Sequence, residues 1–173
     1  MTARQFSVRE ARTGDVRAIK RLVEPLVQQR ILLGKELVVF FESLQEFRVA
    51  VDDASNEVIG CGALHVIWED LGEVRTLAVA DDWRGAGVGH ALLTSLEVDA
   101  VRLGLQRLFC LTFEVDFFTQ HGFSAADEQL LVDPEVYSEL LRSPDEGIAE
   151  FLDLSRVKPN TLGNTRMLKS LTS

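Results

Sequence analysis

The sequence predicts an α/β (α+β) protein built on one mixed, mostly antiparallel sheet flanked by helices. Three observations support this class. Segments with strand and helix periodicity alternate along the chain, a polar turn between two apolar runs predicts a hairpin, and a glycine-rich turn leads from a strand directly into a helix. The length of 173 residues suits one domain, which we expect to span residues 1–173.

Periodicity predicts six strands and five helices in the order β-α-α-β-β-β-α-β-α-α-β. The strands are predicted at residues 6–11, 47–51, 58–68, 72–80, 107–113 and 150–154. The helices are predicted at residues 15–27, 35–46, 88–103, 116–121 and from Asp133 onward. Asp15 and Asp133 fit the preference for short polar residues at helix N-caps. Pro25 lies inside the first predicted helix, which we expect it to kink or end.

The net charge and the distribution of charged residues argue against nucleic-acid and membrane partners. The chain has a net charge of −9, whereas nucleic-acid binding depends on Lys and Arg neutralising phosphates, so no nucleic-acid partner is expected. The longest run without a charged residue is twelve residues, at 85–96, and a membrane-spanning helix needs about 20 apolar ones. The N-terminal residues lack the apolar block of a secretory signal. We therefore expect a cytoplasmic protein with no membrane partner.

The two cysteines, Cys61 and Cys110, each lie within an apolar, strand-like run. There is no CxxC spacing, and no His clusters with either cysteine, so no metal cofactor is expected. We interpret both residues as buried, reduced thiols of a cytoplasmic protein. A disulfide or a catalytic thiol are the alternatives.

A glycine-rich turn with the sequence DDWRGAGVGH, residues 81–90, connects a predicted strand to a predicted helix. Its glycines allow the backbone to approach a ligand closely, because no Cβ stands in the way. The first N–H groups of a helix have no partner within the helix and, together with the helix dipole, favour an anion. Arg84 adds a positive charge with donors suited to phosphate. The turn therefore predicts a pyrophosphate site, and the alternative is a purely structural turn.

Two common phosphate-binding motifs do not match this turn. A Walker loop ends in Gly-Lys-Ser/Thr, whereas this turn ends in Gly-His-Ala. A GxGxxG fingerprint that starts at Gly85 or Gly87 would need a glycine at His90 or Leu92. The segment at 84–89 does match the pattern Q/R-x-x-G-x-G/A, and it resembles the acetyl-CoA loop of the GCN5-related N-acetyltransferase (GNAT) superfamily.

The resemblance implies the GNAT fold and acetyl-CoA as co-substrate. The loop residues that it places at the pyrophosphate are Arg84, Gly85, Ala86, Gly87, Val88, Gly89 and His90. In this family the preceding strand is bulged, and here Leu77, Ala78 and Val79 would hold the pantetheine arm and the thioester carbonyl. The next strand splays away in the family, which implies a V-shaped cleft for the thioester.

The segment FFTQHGF at residues 117–123 is similar to the family's F-Y-x-x-x-G-F segment. It implies that Phe117 and Phe118 contact the co-substrate. Phe118 stands where the family commonly has a tyrosine, whose phenol donates a proton to the leaving thiolate. Since phenylalanine has no such proton, that role would pass to another group or to water.

Further segments resemble one branch of the superfamily, the acetyltransferase domain of N-acetylglutamate synthase of the short, stand-alone actinobacterial type. They are ILLGKEL at 31–37, VIGCGAL at 58–64, GEVRTLAV at 72–79, LFCLT at 108–112 and NTRML at 164–168. The resemblance implies acetyl transfer to the α-amine of L-glutamate or L-glutamine, the first step of L-arginine biosynthesis, and it suggests a homodimer. The longer bacterial type carries an amino-acid-kinase-like domain for which 173 residues leave no room, so arginine feedback through that domain is not expected.

Transfer to an α-amine needs a base, because such amines are mostly protonated at neutral pH. Glu73, on the strand that leads to the loop, is the leading candidate, and a surface or ion-paired glutamate is the alternative. Thr112 falls where the family often carries a hydroxyl proposed to assist the leaving thiolate, and the alternative is a residue that merely favours a strand.

A small acidic amino acid as substrate would need cationic groups beyond the loop. The residues expected at the acceptor are Lys35, Arg75, Thr76, Cys110 and Arg166, with Arg156 and Lys158 as further basic candidates. Residues two apart on a strand share one face, so Arg75 is expected on the same face as Glu73.

Three functional hypotheses remain open from the sequence. The first is N-acetylation of glutamate or glutamine. The second is an acetyltransferase of the same fold with another acceptor, such as a protein N-terminus, a polyamine or a drug. The third is an acyl-CoA-binding sensor without turnover, which the replacement of tyrosine by Phe118 keeps open.

Overall fold

The structure is a computed structural model that describes residues 3–126, 132–153 and 163–171. These residues form seven strands and six helices. The strands are β1 (Phe6–Glu10), β2 (Phe47–Asp52), β3 (Val58–Trp68), β4 (Leu71–Val79), β5 (Arg107–Thr112), β6 (Ser124–Ala125) and β7 (Thr165–Ser170). The helices are α1 (Val16–Gln28), α2 (Leu37–Glu42), α3 (Val88–Leu103), α4 (Val115–Gln120), α5 (Pro134–Leu140) and α6 (Glu146–Phe151).

The first five predicted strands are confirmed within two residues at each end, and the helix predicted at 88–103 has the bounds of α3. The strand predicted at 150–154 is wrong, because Glu150 and Phe151 belong to α6 and residue 154 lies outside the described residues. The Asp145 carboxylate accepts a hydrogen bond of 2.9 Å from the Ile148 N–H and so caps the start of this helix. The predicted order also lacked β6 and β7.

Two expectations about the N-terminal helices need correction. Of the two outcomes expected for Pro25, an end of the helix at this residue is wrong, because α1 continues to Gln28. The helix expected at 35–46 is confined to α2, followed by a single 3-10 turn at Leu44–Glu46. β-branched and aromatic residues fill most of α2, and their restricted side-chain rotamers lower helix propensity.

The first of two structural units comprises Met1–His65 and Glu73–Gly104. Its strands lie in the order β1-β2-β3-β4, and both β1 with β2 and β2 with β3 pair antiparallel. Side chains alternate between the faces of the sheet. The core packed against α1 and α2 contains Val16, Ile19, Val23, Phe40, Phe47, Val49, Val51, Cys61, Ala63 and Ala78. The core packed against α3 contains Ala50, Ile59, Trp83, Val88 and Leu92. Helices therefore cover both faces of this part of the sheet.

Two glycines of β3 set how closely α3 approaches the sheet. A Cβ on Gly60 would lie 2.9 Å from Val88 Cγ1, and a Cβ on Gly62 would lie 3.1 Å from Leu96 Cδ1, and both of these residues belong to α3. Both distances are shorter than ordinary contacts between carbon atoms, which have their optimum at about 3.5–4.0 Å. The absence of these side chains lets the start of α3 sit directly on β3, and this contact positions the turn that precedes the helix.

The second unit comprises Val66–Gly72 and Leu105–Ser173. Here β7 lies between β5 and β6 and pairs antiparallel with both, so that Cys110 lies opposite Met167. Its core contains Ile67, Leu71, Phe109, Leu140, Ile148 and Phe151. The Arg107 guanidinium contacts the Asp70 carboxylate at 3.0 Å and ties β5 to the hairpin turn between β3 and β4. The antiparallel pairs of both units agree with the predicted sheet.

The two thiols are buried, and neither forms a disulfide. Burial raises the pKa of the Cys61 thiol to about 12, although a hydrogen bond with the Ala78 backbone opposes the shift. A neutral, enclosed thiol is a poor nucleophile because the thiolate is the reactive form. This confirms the prediction of buried, reduced cysteines.

Thiol labelling should therefore be slow in the native protein. At about pH 8, near the pKa of an exposed thiol, we expect no rapid reaction of either cysteine with Ellman's reagent. The same sample in guanidinium chloride, as the control, should release two equivalents, one from each cysteine. One rapid equivalent from the native protein would contradict the burial of these residues.

Candidate active site

Strand β4 departs from regular strand geometry shortly before the glycine-rich turn. Thr76 has a φ of 57°, in the left-handed region, which costs a non-glycine residue about 1–3 kcal/mol. The Cys61 thiol of β3 donates a 3.4 Å hydrogen bond to the Thr76 carbonyl. A single left-handed residue in a strand re-aims the residues that follow it, here Leu77, Ala78 and Val79.

The turn after β4 is open and lined by backbone. Gly85 and Gly87 have φ values of 79° and 86°, and a Cβ built on either would meet no atom within 4 Å. Trp83 anchors the preceding residues, because its buried ring packs edge-on against Phe6 with centroids 6.1 Å apart. The packing of Trp83 therefore fixes the start of the turn, while its glycines face open space.

Helix α3 starts at this turn, and its first backbone N–H groups are donors at the turn. Gly87 is the N-cap, and the Ala91 N–H makes the first intrahelical bond, 3.0 Å long, to the Gly87 carbonyl. The N–H groups of Val88 and Gly89 precede that bond and have no carbonyl one turn earlier within the helix. Open space, glycine backbone and helix N-terminal donors together fit a pyrophosphate group.

The charged side chain of the turn is loosely held. Arg84 Nε lies 3.2 Å from Asp81 Oδ1, and these side chains are 62% and 95% exposed. Ion pairs with such exposure contribute about 0–1 kcal/mol, so the guanidinium can exchange Asp81 for a phosphate at little cost. His90 is exposed in the first turn of α3, whereas the Val88 side chain is buried in the core. Val88 can therefore contribute to a ligand site through its backbone only.

Glu73 and Arg75 form a buried ion pair on β4. The Arg75 guanidinium donates to Glu73 Oε2 from Nε at 3.1 Å and from Nη2 at 2.6 Å. The Arg75 and Glu73 side chains are 10% and 7% exposed, respectively. The prediction that they share one face of the strand is confirmed. Glu73 is thus ion-paired, as the alternative interpretation expected. The role of Glu73 as a base stays a prediction.

Thr112 ends β5 with its hydroxyl in a defined hydrogen bond. The Glu114 N–H donates to Thr112 Oγ1 at 2.8 Å, and the threonine is buried. Since the hydroxyl oxygen is the acceptor in this bond, its own proton can still be donated to another group. The geometry is compatible with the predicted assistance to a leaving thiolate.

The aromatic residues of α4 form a packed cluster. The Phe118 ring is buried and packs edge-on against Phe117 at 5.2 Å and Phe123 at 5.1 Å. These contacts explain a phenylalanine at this position by packing, because a phenol would need a hydrogen-bond partner when buried. The predicted contacts of Phe117 and Phe118 with acetyl-CoA stay predictions.

The predicted acceptor residues have diverse surroundings. Arg166 donates to the carbonyls of Glu150, at 3.2 Å, and Phe151, and its guanidinium lies 5.1 Å from the Phe109 ring centroid. It thus holds the C-terminal end of α6, where carbonyls lack intrahelical donors, a role that sequence reasoning missed. Lys35 is half-buried, and its carbonyl accepts from Lys20 Nζ at 3.1 Å.

Cys110, also predicted at the acceptor, is buried within β5. Arg156 and Lys158 lie outside the described residues. Among the residues that the structure describes, no group of three or more His, Cys, Asp or Glu side chains could hold a metal ion. No helix within the same ranges combines the length and apolar character needed to cross a membrane.

Comparison with known proteins identifies the family. Residues 23–123 match the model of the acetyltransferase (GNAT) family. An amino-acid acetyltransferase from Mycobacterium tuberculosis is 55% identical over 162 residues, which cover 93% of this chain and 92% of the relative. The chain belongs to the acetyltransferase (GNAT) family, and the resemblance inferred from the sequence is confirmed.

Solved structures confirm the fold class. A crystal structure from Mycobacterium tuberculosis, in complex with CoA and the ligand NLQ, has a TM-score of 0.91 at 54% identity and covers 95% of this chain and 99% of that chain. N-acetylglutamate synthase from Neisseria gonorrhoeae, complexed with coenzyme A and N-acetyl-glutamate, has a TM-score of 0.77 at 26% identity. That similarity covers 98% of this chain but 36% of the Neisseria chain.

Proposed function

We propose that this protein is an amino-acid N-acetyltransferase that moves the acetyl group of acetyl-CoA to the α-amine of L-glutamate or L-glutamine. The observation that carries the proposal is the open, glycine-lined turn at the start of α3, directly after the irregular part of β4. The 55% identical amino-acid acetyltransferase supports the reaction class. The Neisseria synthase, which binds N-acetyl-glutamate, supports the acceptor.

The turn would bind the pyrophosphate of acetyl-CoA through its backbone. The N–H groups of Val88 and Gly89, the positive end of the α3 dipole and the Arg84 guanidinium all favour an anion here. The positive φ values of Gly85 and Gly87 keep this path clear of side chains. Gly89, Ala86 and His90 complete the loop, and the backbone of Leu77, Ala78 and Val79 would hold the pantetheine arm and polarise the thioester carbonyl.

The chemistry requires a base for the ammonium group of the acceptor and an acid for the departing thiolate. We assign the base to Glu73, which is buried and accepts two hydrogen bonds from Arg75. We assign the acid to the Thr112 hydroxyl, whose proton is not used in its bond from the Glu114 N–H. Phe118 has no proton to give, so the phenol common in this family has no counterpart at that position.

The acceptor carboxylates need cationic partners, and we propose Lys35 as the first of these. The guanidinium of Arg166 is engaged by the carbonyls of α6, which makes it a weaker candidate. Thr76 and Cys110 would contribute to the shape of the acceptor site rather than to its charge. We further propose that the enzyme is a cytoplasmic homodimer acting in the first step of L-arginine biosynthesis, as its family resemblance implies.

An acceptor panel tests the proposal directly. Purified protein with acetyl-CoA should release CoA thiol in the presence of L-glutamate or L-glutamine, and much more slowly with a polyamine or a peptide N-terminus. D-glutamate serves as the stereochemical control and should be a poor acceptor. Turnover only with other amines would reassign the acceptor, and CoA binding without release would indicate a sensor instead of an enzyme.

A further inference from the structure

The buried pair of Glu73 and Arg75 lies on the strand that leads to the co-substrate loop. The two residues are two apart on β4, so both side chains leave the same face. Nε and Nη2 of one guanidinium converge on a single oxygen, Glu73 Oε2. We propose that Arg75 is a positioning residue that acts through Glu73, and that it is not a clamp for the carboxylate of the acceptor. This inference rests on the proposed function.

The geometry supports positioning because the contact restrains both side chains. A planar guanidinium that donates two hydrogen bonds to one carboxylate oxygen holds that oxygen in place. Both side chains are at least nine-tenths buried, so water competes little for these bonds. A base must be held at a defined place to take a proton from its substrate, since proton transfer needs hydrogen-bond reach. Arg75 supplies that restraint to Glu73.

The charges support the same role. A buried carboxylate without a partner is unfavourable, and removal of one member of a buried pair leaves the other uncompensated. Without Arg75, the Glu73 carboxylate would lose its partner and rotate towards solvent, away from the position that a base needs. Conversely, the Nε and Nη2 donors that bind Glu73 form one of the two forks that a guanidinium can present to a carboxylate. While these donors bind Glu73, that fork is not available to the carboxylate of the acceptor.

Steady-state kinetics of a double-mutant cycle at Arg75 and Glu73 tests the positioning role of Arg75. The acceptor in these assays is the amine that the wild-type protein acetylates fastest. We expect Arg75→Gln to lower kcat by about 10- to 100-fold, less than the factor of about 10² to 10⁴ typical of losing the base itself, and to leave the acceptor KM within about twofold. Arg75→Lys, which keeps the charge but loses the fork, should recover part of kcat. In the Glu73→Gln background, Arg75→Gln should cause no further loss, because residues that act as a unit are not additive.

Arg48→Gln is the matched control. Arg48 forms a similar two-donor pair, with bonds of 2.7 Å from Nε and Nη2 to the Asp99 carboxylate, but has no proposed part in the reaction. It should lower stability and leave kcat unchanged. An Arg75→Gln variant with a raised acceptor KM and unchanged kcat, or additive losses in the double mutant, would overturn the positioning role while the proposed function stands. A wild type that acetylates no amine would reject the proposed function, and the role of Arg75 with it.

Discussion

Gly87→Val should abolish acetyl-CoA binding, with a Kd raised at least about a hundredfold, or about 2.8 kcal/mol. Gly87 is the N-cap of α3 with a φ of 86°, which a β-branched residue adopts only with strain. No protein atom lies within 4 Å of a Cβ at this position, so the new side chain would occupy the open space where we place the pyrophosphate. Isothermal titration calorimetry with CoA measures the change.

Gly104→Val is the matched control for this substitution. Gly104 caps the other end of the same helix, has a φ of 89°, and likewise has no atom within 4 Å of a built Cβ. Valine at this site should impose a comparable backbone strain, lower the unfolding temperature and leave the Kd of CoA unchanged. Equal CoA affinity in Gly87→Val and wild type would refute the assignment of the loop.

Glu73→Gln should lower kcat by at least about a hundredfold, since general-base assistance is typically worth a factor of about 10² to 10⁴. Glutamine has nearly the same shape but cannot accept a proton from an ammonium group. Because the substitution lies outside the co-substrate loop, the Kd of CoA should remain within about twofold of the wild-type value. Stopped assays of CoA thiol release, together with calorimetry on the same sample, separate these two effects.

Asp99→Asn separates the loss of a base from the loss of a buried ion pair. Asp99 accepts two bonds from Arg48, and its side chain is 14% exposed. Removal of this carboxylate should destabilise the protein as Glu73→Gln does, but leave kcat of the folded enzyme unchanged. If both variants lose activity in proportion to their stability, Glu73 is a structural residue and another group or water takes the proton.

Local signals explain which elements could be predicted from the sequence. Helix α3 combines an apolar face with Gly87 at its start and Gly104 at its end, so its bounds follow from short-range chemistry. Strand β7, with the sequence TRMLKS, has only Met167 fully buried, and its pairing with β5 is a long-range contact that no local pattern reveals. The segment at 150–154 has three apolar residues in five and resembles a short strand, but the Asp145 cap and the burial of Ile148 and Phe151 favour α6.

The residues of the candidate site also fall into those that could be predicted from the sequence and those that could not. The glycines and Arg84 were predictable, because an anion site at a helix start depends on residue types that are adjacent in sequence. The left-handed conformation of Thr76 was not predictable, because this conformation is unfavourable for a β-branched residue. Only the residues around Thr76 in the folded protein can hold it there. The same holds for Arg166, which the sequence placed at the acceptor because of its charge. Its contacts with the end of α6 exist only once β7 has paired with β5.

A crystal structure of the protein with bound coenzyme A tests the central claim most directly. We predict that the pyrophosphate oxygens lie within hydrogen-bond distance of the backbone N–H groups at residues 85–89, with the pantetheine arm running along residues 77–79 of β4. Density for coenzyme A at another place on the molecule, with the turn before α3 left without a ligand, would contradict the account.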